Sequence, residues 1–144
     1  MISAIVVGRA INNNDENLKS IRDCRIKLQY NRAIELIKSC DLPEDGPYSI
    51  NILNKISDYI QNNIIVINGN LFSSISFKSG DKYEKNIYLL YNDGHYELIT
   101  SPTAFYGALY YCDKCNSPYR NKNNHECNND IIFVDRLNRL RKQK

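Results

Sequence analysis

The hydrophobic period of this chain changes once, near residue 62, and that change limits its fold more than any other feature. Before it, apolar residues recur at helical spacing. Ile26, Tyr30, Ala33, Ile34 and Ile37 form one stripe in a segment 26–40, with Arg32, Glu35 and Lys38 largely off it. Leu53, Ile56 and Ile60 form a second stripe in a segment that Ser49 can cap and that runs to about Gln61. Two prolines and a glycine between Asp41 and Pro47 separate the two helices. After the change, Asn63 to Asn68 is a β-branched run, and Leu71 to Phe77 alternates between its two faces. Ile87–Tyr91 and His95–Ile99 flank Asn92-Asp93-Gly94, a strong hairpin pattern. Helices followed by strands predict an α+β domain with a mainly antiparallel sheet.

The ends of the chain are less decided. Met1 to about Ala10 is apolar and fits either a buried helix or a strand. Asn14 and Asp15 can cap a short helix through Arg22. Asp130 can cap a final helix, 131–142, whose apolar positions are Ile132, Val134, Leu137 and Leu140.

Composition enters through three points. With 144 residues the chain closes one small core, and no apolar run approaches the roughly 20 residues of a bilayer span. No export signal precedes the first segment, so an intracellular protein with reduced thiols is expected. The net charge of +3 is local: residues 131–144 hold five basic side chains against Asp135, and the rest sums to about −1. A basic tail of this kind is a candidate nucleic-acid contact. The 20 asparagines and 19 isoleucines reflect a compositional bias, so the Asn runs are poor guides to ligand binding.

Cysteine and histidine are scarce, five and two, yet four of the seven cluster as Cys112-x2-Cys115-x9-His125-x-Cys127. A two-residue spacing curls two sulfurs toward one point, and thiolate and imidazole are the ligands zinc favours. Four protein ligands leave no open position, so the pattern predicts a structural Zn2+ site that supplies the folding energy a small loop lacks. Tyr111 and Tyr119 are expected to pack around it. Zinc knuckles also bind single-stranded nucleic acid, which is a second use for the same element. Cys24 and Cys40 lie outside the cluster and are expected to be small buried or half-buried residues.

The other histidine, His95, follows Asp93 by two residues at the start of a strand. On one strand face the carboxylate could accept the imidazole Nδ1–H and leave Nε2 to take a proton from a nucleophile. Asn-Asp-Gly is equally good turn chemistry, and neither Cys24 nor Cys40 stands in a context that activates a thiol.

Several segments carry a family resemblance in order: the apolar stretch Ala4 to Ala10, the Ile21-Arg-Asp triplet, the passage Ile56 to Ile67, and Ile87 to Thr100. The cysteine cluster beginning Tyr110-Tyr-Cys-Asp-Lys-Cys closes the series. Together they resemble the region upstream of the polymerase core in protein-primed family B DNA polymerases of Maverick/Polinton-type mobile elements and related viruses. The first part of that region is in turn similar to papain-like cysteine proteases of the ovarian-tumour and viral-tegument deubiquitinase kind. This resemblance implies a papain-like (OTU-like) domain over 1–105, a zinc knuckle over 106–130 and a basic amphipathic helix over 131–144. It further implies that His95 corresponds to the general base and Asp93 to its orienting acid.

In those families a nucleophilic cysteine opens the first helix, a place that falls just before Met1. None stands in this chain, which is expected to be a truncated or degenerate copy without protease activity, since the covalent mechanism has no first step. Its expected role is a binding module, with ubiquitin or a ubiquitin-like protein as partner. The alternatives are an active cysteine hydrolase, if a Cys precedes Met1 in the full gene, and a nucleic-acid-binding accessory region of a polymerase.

Overall fold

In a computed structural model, residues 1–23, 27–44, 46, 48–70, 74–121 and 125 are described. They form two compact units, Met1–Thr100 and Ser101–Lys144. Cys24, Cys127 and the expected helix 131–142 lie outside the described residues.

In the first unit the ambiguous opening segment is a helix, α1, Ile2–Asn12, which buries Ile2, Ile5, Val6 and Ala10 at helical spacing. Gly8 lies on the same helix, and a Cβ there would sit 3.0 Å from Ile87 Cγ2, so glycine lets α1 settle closely onto the sheet. A short α2, Leu18–Arg22, follows an Asx turn in which Asp15 Oδ1 accepts the Asn17 amide at 2.8 Å. Next comes α3, Leu28–Ser39, and its buried face differs from the expected stripe. Ala33, Leu36 and Cys40 are buried at a spacing of three to four, while Tyr30 is 61% exposed. Leu36, absent from the expected stripe, turns inward, and the far edge of that stripe is left at the surface.

Ile50–Ile52 form a 3-10 turn that leads into α4, Leu53–Ile60, where Leu53, Ile56 and Ile60 are buried as their spacing predicts. Gln61, at φ 56°, ends the helix.

The four strands are β1 Asn63–Asn68, β2 Ser74–Lys78, β3 Asn86–Asn92 and β4 His95–Ile99. Residues 71–73 of the expected Leu71–Phe77 strand lie outside the described residues. The sheet order is β2-β1-β3-β4. β1 pairs antiparallel with β2, and β3 antiparallel with β4, but β1 runs parallel to β3 from Asn63↔Asn86 to Asn68↔Tyr91. The sheet is therefore mixed: two of its three pairings are antiparallel as expected, and the central one is parallel. β1 is buried from Asn63 to Ile67, and an unbroken apolar run of this kind suits an interior strand with neighbours on both edges. Ile64 and Val66 join the helix-side core with Ile87 and Leu89.

Asparagines fix the start of that parallel pair. Asn63 is 3% exposed; its Nδ2 donates to Tyr83 O at 2.7 Å and to Asn86 Oδ1 at 2.8 Å, and its Oδ1 accepts the Tyr83 amide at 3.2 Å. Asn12, at the end of α1, donates to Asn62 Oδ1 at 2.7 Å and to Asn86 O at 2.9 Å.

The second unit begins with α5, Pro102–Tyr106, capped by Ser101, whose side chain accepts the Ala104 amide at 3.3 Å. It continues into the hairpin β5 Tyr110–Cys112 and β6 Ser117–Tyr119, with Tyr110↔Tyr119 and Cys112↔Ser117 opposed. The division at Thr100 thus groups α5 with the cysteine hairpin, where the expected boundary was 105.

Replacing Asn63 by Ala removes the side-chain partner of the part-buried Tyr83 amide and carbonyl. The expected loss is about 2–4 kcal/mol in urea unfolding, against less than about 0.5 kcal/mol for Asn54→Ala on the exposed side of α4. Equal effects for the two variants would contradict the clamp.

Candidate functional site

The hairpin of the second unit has two distinct faces, because alternate residues of a strand point opposite ways. Tyr111 belongs to one of them, where its ring stacks on Tyr106 of α5 (centroids 5.7 Å apart, planes at 12°) and Phe105 meets Tyr106 edge-on at 5.0 Å. Burial holds the Tyr111 phenol above its ordinary range, at about 12, against a side-chain hydrogen bond with Asn116 that pulls it down.

The other face holds Tyr110, Cys112 and Tyr119. The turn from Asp113 to Asn116 brings Cys115 back beside Cys112: Asn116 takes a left-handed φ of 53°, its Nδ2 donates to Asp113 O at 3.2 Å, and Ser117 Oγ donates to Cys115 O at 3.3 Å. His125 completes the group. The ligand atoms of Cys112, Cys115 and His125 lie within 4.8 Å of one another, and Cys115 Sγ is 3.7 Å from His125 Nε2. Tetrahedral metal bonds of about 2.3 Å to sulfur and 2.0 Å to nitrogen place such atoms about 3.5 Å apart. The three side chains therefore form a group that can hold a metal ion, and all three are half-buried. The expected fourth ligand, Cys127, lies outside the described residues.

The imidazole is oriented from its flat side, where Tyr119 stacks on it with centroids 4.1 Å apart and planes at 11°. Tyr119 also stacks on Tyr110, at 5.2 Å and 15°. Tyr111, expected to pack around the cluster, stacks on Tyr106 on the opposite face of the hairpin; the packing of Tyr119 on His125 is legible in the sequence. The parts of Tyr106 and Tyr110 are not, although the equal distance of Tyr110 and Tyr119 from the Asp113–Asn116 turn marks them as a cross-strand pair.

Asp93 and His95 stand apart from this centre. Asp93, at φ 50°, and Gly94, at φ 82°, are the two central residues of the β3–β4 turn, a type I′ geometry. Asp93 therefore precedes the strand and does not share its alternation with His95. Both are exposed, and among the described residues no hydrogen bond joins them. Strand alternation puts His95 on the face of β4 opposite Tyr96, which packs beside Tyr91 at 5.0 Å and against the core.

Tyr96 and Gly94 do line an open groove of about 480 Å3, together with Met1 and Ser3 at the start of α1 and Tyr30, Ile37 and Tyr48. A smaller cavity, about 180 Å3, lies between α1 and α3 with Arg9, Arg32, Asp15 and Glu35 on its walls, opposite charges in equal number. The sequence flags neither, because each is assembled from distant segments.

Cys40 is buried 3% exposed, as expected for a small core residue, and burial pushes its thiol upward in spite of Lys55 and Arg9. Among the described residues no helix is long and apolar enough to cross a membrane.

Titration with Co2+ should give the thiolate-to-metal charge-transfer absorption of a sulfur-ligated ion, and Cys115→Ser should diminish it strongly; an unaltered spectrum would reject the ligand set. Cys40, raised and shielded, should react with a thiol reagent at pH 8 only after denaturant is added. Mass mapping of the labelled cysteines checks this, and rapid native labelling at Cys40 would contradict its burial. Comparison with protein-family models, with curated proteins and with solved structures finds no match for this chain.

Proposed function

We propose that residues 1–100 are a papain-like, deubiquitinase-related domain that serves as a binding module, and that a structural zinc ion holds the second unit. The observation that carries the proposal is the groove walled by the start of α1 on one side and by the β3–β4 turn on the other. In a papain-like hydrolase these two elements carry the thiol and the histidine. Here the turn contributes Gly94 and β4 contributes Tyr96 to the groove, and His95 takes the opposite strand face.

The groove is lined by Tyr30, Tyr48, Tyr96, Ile34 and Ile37 with Glu44 among them, a surface suited to an extended protein segment with apolar side chains. Ubiquitin or a ubiquitin-like protein is the partner proposed for it. In this reading His95 and Asp93 are the retained positions of the base and its orienting acid.

Zinc is proposed for the metal because two thiolates and an imidazole converge in the second unit, with Cys127 as the fourth ligand. The ion would act as a staple, contributing the folding energy that so small a hairpin cannot draw from its own core.

Adding unlabelled ubiquitin to the isotope-labelled chain should shift the amide resonances of Tyr30, Gly94 and Tyr96. Tyr30→Ala, at an exposed position, should weaken binding about tenfold. An electrophilic ubiquitin probe should leave no adduct. Absence of any shift at about 1 mM ubiquitin would reject the partner, and a probe adduct would reject the binding-only role.

A further inference from the structure

We infer that the exposed aromatic face of the β5–β6 hairpin is a stacking platform for the bases of a single-stranded polynucleotide. The groove of the first unit plays no part in it. Tyr110, Tyr119 and His125 present three nearly parallel rings, with planes at 15° and 11° between neighbours. Tyr110 is nevertheless 38% exposed, and Leu109 beside it is 73% exposed. Rings already stacked in this way offer an unpaired base a further layer of the same kind. Every base has a π-face, so such a platform is indifferent to sequence. In a duplex the base faces are occupied by their own neighbours, so only single strands can use it.

Charge selects the same class of partner. Residues 101–144 carry eight Lys and Arg against four Asp and Glu, whereas residues 1–100 sum to −1. Arg120 follows Tyr119 directly and is exposed, and Lys114 is exposed in the turn between the strands. Aromatic rings beside cations match a strand that alternates flat bases with phosphates. The platform is also stiff, since its opposite face is packed by Tyr111 on Tyr106, so little ordering cost is left for binding.

Fluorescence anisotropy of the full chain with labelled oligodeoxythymidylate and oligouridylate of about 12 nucleotides tests the platform. Both should bind, with affinity falling steeply between about 50 and 200 mM salt, and the tighter of the two identifies the natural backbone. Tyr110→Ala should weaken binding about tenfold or more with the salt slope unchanged, while Tyr110→Phe should bind like the parent chain. Arg120→Gln should lower the slope instead. If Tyr110→Ala alters the fold, Tyr110→Trp replaces it, and quenching of its emission on binding supports the platform. The inference is overturned if neither oligonucleotide binds at low salt or if a blunt duplex binds as well as the single strands. It is overturned equally by Tyr110→Ala binding like the parent, or by bound oligonucleotide that leaves the Tyr110→Trp emission unchanged.

Discussion

The parallel pairing of β1 with β3 organises the first unit. A parallel pair cannot be closed by a tight turn, so the chain must leave β1, form β2 and return through residues 79–85 before β3 begins. Nothing in the strands themselves says where that return should dock. The buried amide of Asn63 supplies the register by holding the Tyr83 backbone and the Asn86 side chain, and Asn12 ties the end of α1 to the same corner. Asn12, Asn63 and Asn86 thus do what a hairpin turn does for an antiparallel pair. Once β3 is placed, β4 follows from the type I′ turn, and α1 can press its Gly8 surface against Ile87. The groove at the start of α1 exists because β4 ends up beside that helix.

The second unit solves a different problem. Its described residues form two three-residue strands and one turn of helix, which bury too little apolar surface to hold a unique structure by hydrophobic packing alone. Aromatic stacking on one face supplies part of the missing constraint, and on the other Cys112, Cys115 and His125 converge as a group that can hold a metal ion. The stack of Tyr119 on His125 belongs to the second of these faces, where the ring that orients the imidazole also stacks on Tyr110.

How much of this was legible depends on the range of the interaction. The α4 stripe of Leu53, Ile56 and Ile60, the β1 run and the Asn92–His95 hairpin all rest on residues within one or two turns of each other, and the structure has them as expected. The Cys-x2-Cys pair is likewise local, and it converges with His125. The orientation of α3 was misread because which edge of an amphipathic stripe faces inward depends on α1, not on α3's own sequence: Leu36 is buried and Tyr30 is out. The parallel course of β1 against β3 is not legible for the same reason, since a continuous apolar run fits either direction and the neighbours decide.

By itself, then, the sequence determined where the helices give way to strands, which residues turn the β3–β4 hairpin, and which thiols and imidazole belong together. Each of these is set by backbone geometry over a few residues. The tertiary structure alone decided that the sheet is mixed, that buried asparagines hold its register, that His95 faces away from the groove while Tyr96 lines it, and that Tyr110 joins Tyr119 and His125 in one stack. These depend on contacts between segments far apart in the chain, whose free energy is settled only when all of them pack at once.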